Sequence, residues 1–308
     1  MSAETGIQRI IVPIDTSVAS EQALPLAVQI AAPGDTIVLL HVLVPHDGGF
    51  LGRNQYVPSD AYRADLVAHL AALAARVSES SGINVETAIV EGKPAEAISA
   101  FQRSTAATMI VMTTAGRGAA GRLRFGSVAD QVVRTSPIPV VLVRLRYDDH
   151  DAMAHPFERV LVPLDGSGRA DRALPMSALL ASRLNTPVTV LNVMEVSDLT
   201  KFDDPEHGPS AIEELIARED VEVRKRLDGA VSELESRGLT ASWKVISGNW
   251  AAQVIEDEAG PHDLIVMASH GRGGVRRWLF GSVAEGLVRS GRSPVMLVPS
   301  ISETPPES

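Results

Sequence analysis

The chain contains no cysteine, which removes disulfides, thiolate metal sites and cysteine nucleophiles from consideration. Aromatic residues make up 4% of it, too few for base-stacking platforms. Positive charge is scarce as well. Against 38 Asp and Glu stand 28 Lys and Arg, a net charge of −10, which argues against a nonspecific nucleic-acid partner. No basic segment followed by an apolar stretch opens the sequence, and no uninterrupted apolar run approaches the roughly 20 residues of a membrane span. The expectation is a soluble cytoplasmic protein that engages neither membrane nor nucleic acid. Its 308 residues suffice for two domains of ordinary size, each able to bury a core.

What the chain does have is glycine in one particular setting, twice. Gly116-Arg117-Gly118 leads to Phe125-Gly126-Ser127-Val128-Ala129-Asp130, and Gly271-Arg272-Gly273-Gly274 leads to Phe280-Gly281-Ser282-Val283-Ala284-Glu285. The interval from the first Gly to the Gly-Ser pair is ten residues in both copies. Each segment follows an apolar run (109–112 and 264–267) and precedes a helical pattern. A strand, a Gly-rich loop and a helix opening with Ser present backbone N–H groups and a helix N-terminus, both of which attract phosphate. The plainer alternative is a flexible turn with Ser acting only as a helix cap. Two copies with the same interval argue against it.

The duplication extends beyond the glycines. Arg9-Ile10-Ile11-Val12-Pro13-Ile14-Asp15-Thr16-Ser17 matches Arg159-Val160-Leu161-Val162-Pro163-Leu164-Asp165-Gly166-Ser167, and Pro139-Val140-Val141-Leu142-Val143 matches Pro294-Val295-Met296-Leu297-Val298. The period is far too long for a solenoid. In the first half, apolar strands are expected near residues 9–14, 36–43, 84–90, 108–113 and 139–143, several of them continuous runs suited to parallel strands covered on both faces. Between strands 2 and 3, Tyr62, Leu66, Leu70, Leu73 and Val77 recur at helical spacing, as do Ile212, Ile216, Val223, Leu227 and Leu234 in the second half; these stripes are expected to cover the sheet. Pro25 and Pro175 are awkward inside helix 1, which should start late or kink there, and Pro33-Gly34 is expected to stop it. The acidic and His-containing stretch 146–155 reads as a solvated linker.

In a doubly wound parallel sheet, ligands bind beyond the carboxyl ends of the strands where the strand order reverses. Strand 1 ends in an acid, Asp15 or Asp165, and strand 4 feeds the Gly loop. A crevice between them would join a carboxylate to a phosphate cradle. Asp15 and Asp165 also read as caps of helix 1. Arg117, Arg122, Arg124, Arg272, Arg276 and Arg277 make the loops cationic within an acidic protein.

Taken together, the Asp at the end of strand 1, the Gly-x9-Gly-Ser segment before the last helix and the closing Pro-Val-x-Leu-Val strand resemble the universal stress protein family. The resemblance covers residues 9–143 and 159–298, so the chain looks like a tandem member, with domains at 1–146 and 156–308. It implies an α/β fold of two tandem doubly wound (Rossmann-like) domains, each with a five-stranded parallel sheet, packed as a pseudo-dimer through their last strands. In one subgroup it implies ATP, with or without Mg²⁺, bound by Gly-x2-Gly-x9-Gly-Ser/Thr. Carried over residue by residue, Gly116, Gly126 and Ser127 with Val128, and Gly271, Gly281 and Ser282 with Val283, would hold phosphates and ribose. Pro13, Asp15, Val42 and Met112 would surround adenine in the first half, and Pro163, Asp165, Val193 and Met267 in the second, where Ala268 is counted among the nucleotide-binding residues as well. The chain departs from the pattern at its first glycine, where Thr113 and Ala268 stand. Alanine is the smaller intrusion, so the second site is expected to be the tighter. The implied partners are ATP or a related adenine nucleotide and a homodimer of tandem chains.

The functional expectation is an ATP-binding regulatory protein of the stress response, not an enzyme. Phosphoryl transfer needs a metal-holding carboxylate, a charge-stabilising cation and a group that orients the nucleophile. The loop arginines offer the second, Asp15 and Asp165 ambiguously the first, and no position supplies the third. No Gly-x4-Gly-Lys-Ser/Thr loop is present either. No catalytic residue and no metal ligand is assigned. The alternatives are a slow ATPase or adenylate-transferring enzyme in the same crevice, and a nucleotide-free interaction module whose sites have degenerated at Thr113 and Ala268. A dinucleotide-dependent dehydrogenase is disfavoured, because its glycine fingerprint follows the first strand rather than the fourth.

Overall fold

In a computed structural model, residues 6–44, 59–114, 125–144, 155–168, 170–195, 208–269 and 281–299 are described. The chain divides into two compact units, Met1–Ala154 and His155–Ser308. The first runs β1 (Arg9–Pro13), α1 (Val18–Glu21), α2 (Leu24–Ile30), β2 (Thr36–Leu43), α3 (Asp60–Ser81), β3 (Asn84–Glu91), α4 (Pro94–Thr105), β4 (Met109–Thr113), α5 (Ser127–Thr135) and β5 (Val140–Val143). Its strands lie in the order β3-β2-β1-β4-β5, and every pairing is parallel. The strands fall within one residue of the expected spans.

The second unit repeats the plan with β6 (Arg159–Pro163), a 3₁₀ turn at Ala170–Arg172, α6 (Ala173–Leu184), β7 (Val188–Glu195), α7 (Gly208–Ser236), β8 (Ala241–Gly248), α8 (Ala251–Glu258), β9 (Asp263–Ala268), α9 (Ser282–Ser290) and β10 (Val295–Val298). Its order is β10-β9-β6-β7-β8, again parallel throughout. Each unit is a doubly wound α/β domain.

Burial explains the strand sequences. Ile10, Ile11 and Val12 of β1 are each 0% exposed, and every residue of β4 and β9 is buried. These central strands have no solvent face, so nothing selects for polar alternation. The edge strands β3 and β8 carry exposed positions among half-buried ones. Leu66, Leu70, Leu73 and Val77 of α3 are buried as a stripe, and so are Leu227 and Leu234 of α7. Val223 is only half-buried, and the side chains of Ile212 and Ile216 lie outside the described residues. Tyr62 departs from the stripe, at 38% exposed. At roughly 1.5 Å per residue, α3 is longer than the eight-residue strand it covers at roughly 3.3 Å per residue, so its first turn overshoots the sheet.

The helix after β1 is broken as the prolines require. In the first unit α1 stops at Glu21 and α2 restarts with Pro25 in its first turn, where the missing N–H costs nothing. In the second a 3₁₀ turn precedes α6, which carries Pro175 in its own first turn. α2 ends at Ile30, with Ala31 as its C-cap, ahead of the expected Pro33-Gly34 stop.

Candidate functional site

The strand orders place a topological switch between β1 and β4 and between β6 and β9. From β1 the chain winds outward to β2 and β3, then returns to β4 and winds the other way. The loops that leave the carboxyl ends of β1 and β4 therefore diverge onto opposite faces, opening a crevice above that pair.

On the strand-1 side, each unit ends in the same hydrogen-bonded turn. The Asp15 Oδ1 accepts from the Ser17 N–H at 3.0 Å and from its hydroxyl. The Ser17 Oγ in turn accepts from Ser20 N at 3.2 Å, so Ser17 is the N-cap of α1. In the second unit Asp165 Oδ1 accepts from Ser167 N at 2.9 Å and Ser167 Oγ at 2.6 Å, and Ser167 Oγ accepts from Ala170 N. The acids thus do not cap helix 1, as one reading of the sequence had it; Asp15 braces the serine that caps α1, and Asp165 braces Ser167, which accepts from the first residue of the 3₁₀ turn. The residue between Asp and Ser is left-handed in both, with φ +66° at Thr16 and +76° at Gly166. Glycine takes that conformation freely, whereas a β-branched residue is strained there by about 1–2 kcal/mol. Thr16→Gly is accordingly expected to stabilise the first unit by about 1 kcal/mol after the entropy of the unfolded chain is counted, measurable as a raised urea midpoint.

The second unit adds a further restraint and a distinct field. Arg226 Nη1 of α7 donates to the Gly166 carbonyl. Asp171 sits close by, its carboxyl pushed above the ordinary range by burial first, then by the charges of Asp165 and Glu233, while Arg226 opposes them. In the first unit Glu21 instead meets Arg76 at 3.1 Å and His69 at 3.6 Å, both on α3.

On the strand-4 side, Thr114 N donates to Val143 O at 2.9 Å and Thr114 O accepts from Gly126 N at 2.7 Å. The second unit repeats this with Ser269 N to Val298 O at 2.8 Å and Gly281 N to Ser269 O at 3.1 Å. The two ends of each Gly-rich loop are therefore tied to one another and to the last strand. The expectation that Ser127 and Ser282 cap the next helix is corrected here. The N-caps are Gly126 and Gly281, in extended conformation and without a side-chain cap, and the serines are the first helical residues. The Gly126 carbonyl takes the Asp130 N–H, so the N–H groups of Ser127, Val128 and Ala129 have no partner within the helix. Their counterparts at Ser282, Val283 and Ala284 are in the same position, because Glu285 N is the first to reach the Gly281 carbonyl. Both Ser127 and Ser282 are exposed. The result is an uncapped helix N-terminus, a ready site for an anion.

Between these two walls lie the other residues that the sequence singled out. Pro13, Asp15 and Val42 are half-exposed while Ile14 and Leu43 beside them are buried, and Pro163, Asp165 and Val193 repeat the half-exposed rim. Met112 and Met267 are buried at 6% and 8% exposure, as are Thr113 and Ala268 as the last residues of β4 and β9. Gly116, Gly271 and the six loop arginines lie outside the described residues, as does most of the 146–155 linker. Three features went unassigned in the sequence: the Ser17 and Ser167 partners of the acids, the Arg226 anchor, and the His41 and Asn192 contacts described below. The Asp-x-Ser repeat was the one visible signal among them.

A profile of the Universal stress protein family matches residues 6–144 and again 156–299. A universal stress protein of Mycolicibacterium smegmatis is 28% identical over 306 residues, spanning 94% of this chain and 96% of its own. One from Mycobacterium tuberculosis is 28% identical over 306 residues, 96% of this chain and 98% of its own. The fold is shared with a universal stress protein from Archaeoglobus fulgidus at TM-score 0.64 and 20% identity, covering 96% of this chain and 97% of that one. It recurs in one from Pseudomonas aeruginosa at TM-score 0.65 and 18% identity, over 97% and 95%. With the family pattern met once in each doubly wound unit, the chain belongs to the universal stress protein family as a tandem, two-domain member.

Proposed function

We propose that this protein binds ATP in the crevice of each unit and acts as a regulatory nucleotide sensor of the stress response, without efficient turnover. The observation that carries the reading is the pairing, in both units, of an uncapped helix N-terminus at Ser127 or Ser282 with an Asp-bearing turn across the switch point. Three unpartnered N–H groups and a serine hydroxyl suit phosphate oxygens. The half-exposed Pro13 and Val42, or Pro163 and Val193, offer apolar surface to adenine, and Met112 or Met267, with Ala268, backs them. Asp15 and Asp165 sit at the rim as acceptors for ribose or base. Gly116 and Gly271 complete the cradle on the family pattern. Mg²⁺, where present, enters with the phosphates. The stretches 1–146 and 156–308 are the proposed functional domains.

Little in the site favours turnover. Each acid already accepts two hydrogen bonds from a neighbouring serine, which holds it as a structural acceptor. The reading is tested by releasing what copurifies with the protein, identifying it by mass spectrometry, and titrating ATP with and without Mg²⁺. Adenine nucleotide on the purified protein and saturable binding below millimolar ATP are expected, with hydrolysis at background. A preparation free of nucleotide that ignores millimolar ATP would overturn the reading. Mg²⁺-dependent hydrolysis lost in Asp165→Asn would replace it with an enzyme.

A further inference from the structure

At the foot of each crevice a side chain substitutes for a missing rung of the sheet. β1 ends at Pro13, paired to Leu40 of β2, and the next residue, Ile14, still donates its N–H to Leu40 O at 2.8 Å. Among the described residues no backbone N–H reaches its carbonyl, the chain turning away at Asp15. His41 supplies the donor: its Nδ1 lies 2.7 Å from Ile14 O, with the ring 4% exposed. The second unit solves the same problem with a different residue. Pro163 pairs with Leu191, Leu164 N donates to Leu191 O at 2.8 Å, and Asn192 Nδ2 donates to Leu164 O at 2.7 Å. Asn192 is 6% exposed. Imidazole and carboxamide share little but a planar N–H at similar reach. Their arrival at the same carbonyl, at the same length, in two copies that have otherwise diverged points to the bond rather than to the residue.

We propose that His41 and Asn192 are positioning residues for the Asp15 and Asp165 turns. The carbonyl that each holds belongs to the peptide leading into the acid, so the bond sets the backbone torsions from which the carboxylate projects. One residue later the chain must enter the left-handed region, at Thr16 or Gly166. A loose peptide at 14 or 164 would leave that turn free to relax and carry the acid off the rim. Because the carbonyl is buried, losing its donor strands a polar group rather than handing it to water. The bond therefore acts on the ligand through Asp15 or Asp165, without either residue reaching the ligand itself.

For ATP the inference rests on the nucleotide reading above, so the test carries a readout that needs no nucleotide. In the full-length chain, Asn192→Leu is expected to speed hydrogen exchange at the Ser167 amide, which Asp165 accepts, by about tenfold, the scale of one lost buried hydrogen bond. It should weaken ATP binding to the second unit by a similar factor. Asn192→His should restore both to within about threefold. His41→Leu and His41→Asn repeat the comparison at the Ser17 amide. Asn192→Ala is read in the same way should the leucine variant fail to fold. If Asn192→Leu lowers the melting temperature yet leaves the Ser167 exchange rate unchanged, the side chain is structural only and the proposal is overturned. Faster exchange in a protein that binds no ATP supports the positioning role and removes the nucleotide reading instead.

Discussion

Replacing Gly281 by Val is expected to weaken ATP binding by the second unit at least about 100-fold, or ~2.7 kcal/mol, while leaving the first unit's site intact. Gly281 is the N-cap of α9, at φ −68° and ψ 147°. A valine fits that backbone but sets two γ-methyl groups beside the N–H groups of Ser282, Val283 and Ala284, where the phosphates are proposed to sit. It also costs the helix a few tenths to about 1 kcal/mol as a poor N-cap, which the ordinary stability of a domain absorbs. Gly126→Val should do the same to the first unit. Isothermal titration of the two single variants and the double separates the sites: each single variant keeps one binding event, and the double keeps none. A double variant that binds like the parent would move the nucleotide elsewhere or remove it.

The second large effect lies far from the crevice. Arg159→Met is expected to destabilise the second unit by about 3 kcal/mol. Arg159 opens β6 and is shared between two acids. Its Nε and Nη2 reach Asp263 Oδ2 at 3.1 and 2.5 Å, its Nη1 reaches Glu258 Oε1 at 3.3 Å, and Nη2 also donates to the Glu258 carbonyl. Asp263 is 4% exposed, so removing its cation leaves a buried carboxylate with the Gly260 N–H at 2.7 Å as its remaining described donor. In the first unit Thr108 stands where Asp263 does, and Arg9 pairs with the exposed Glu86 instead. The corresponding Arg9→Met should therefore cost about 1 kcal/mol or less. Denaturant unfolding that resolves the two units would show the difference.

The same network sets an acid sensitivity. Burial pushes the Glu258 carboxyl up, but hydrogen bonds from Lys244 and Arg159, with their charges, outweigh it and hold the group below its ordinary value of 4.5. A depressed carboxylate contributes stability that is present above its unfolded value and lost as pH falls through the folded one. The parent should therefore lose stability in the second unit below pH 4.5, and Arg159→Met should show a shallower loss there. Asp171, raised by burial and by Asp165 and Glu233, works in the opposite sense. Its contribution is present at low pH and is lost as pH rises through its raised value, so Asp171→Asn should steepen the acid loss.

Much of this molecule is legible in its sequence. Continuous apolar runs at 9–14 and 108–113 marked central strands because a strand buried on both faces excludes polar residues. Pro25 and Pro175 marked a break in the first helix because proline cannot sit in a helix interior. The Gly-Ser pairs at 126–127 and 281–282 marked the start of the last helix in each unit. The register at its end was less legible: whether the glycine or the serine caps the helix depends on where the loop is tied to Thr114 or Ser269, a contact across the loop rather than a preference of either residue.

The amino-acid sequence by itself determined the duplication, the alternation of strand and helix, and the residue types at the crevice, since these follow from periodicity and turn chemistry within a few residues. Tertiary structure supplied the strand order itself, setting β1 beside β4 and β6 beside β9, where the sequence had only an expectation of a crevice. It decided that Asp15 and Asp165 grip a serine instead of capping a helix. It also decided that His41 and Asn192 reach carbonyls 27 and 28 residues away, and that Arg159 finds Asp263 at a separation of 104. Those bonds depend on strand order and register, which only the assembled sheet supplies.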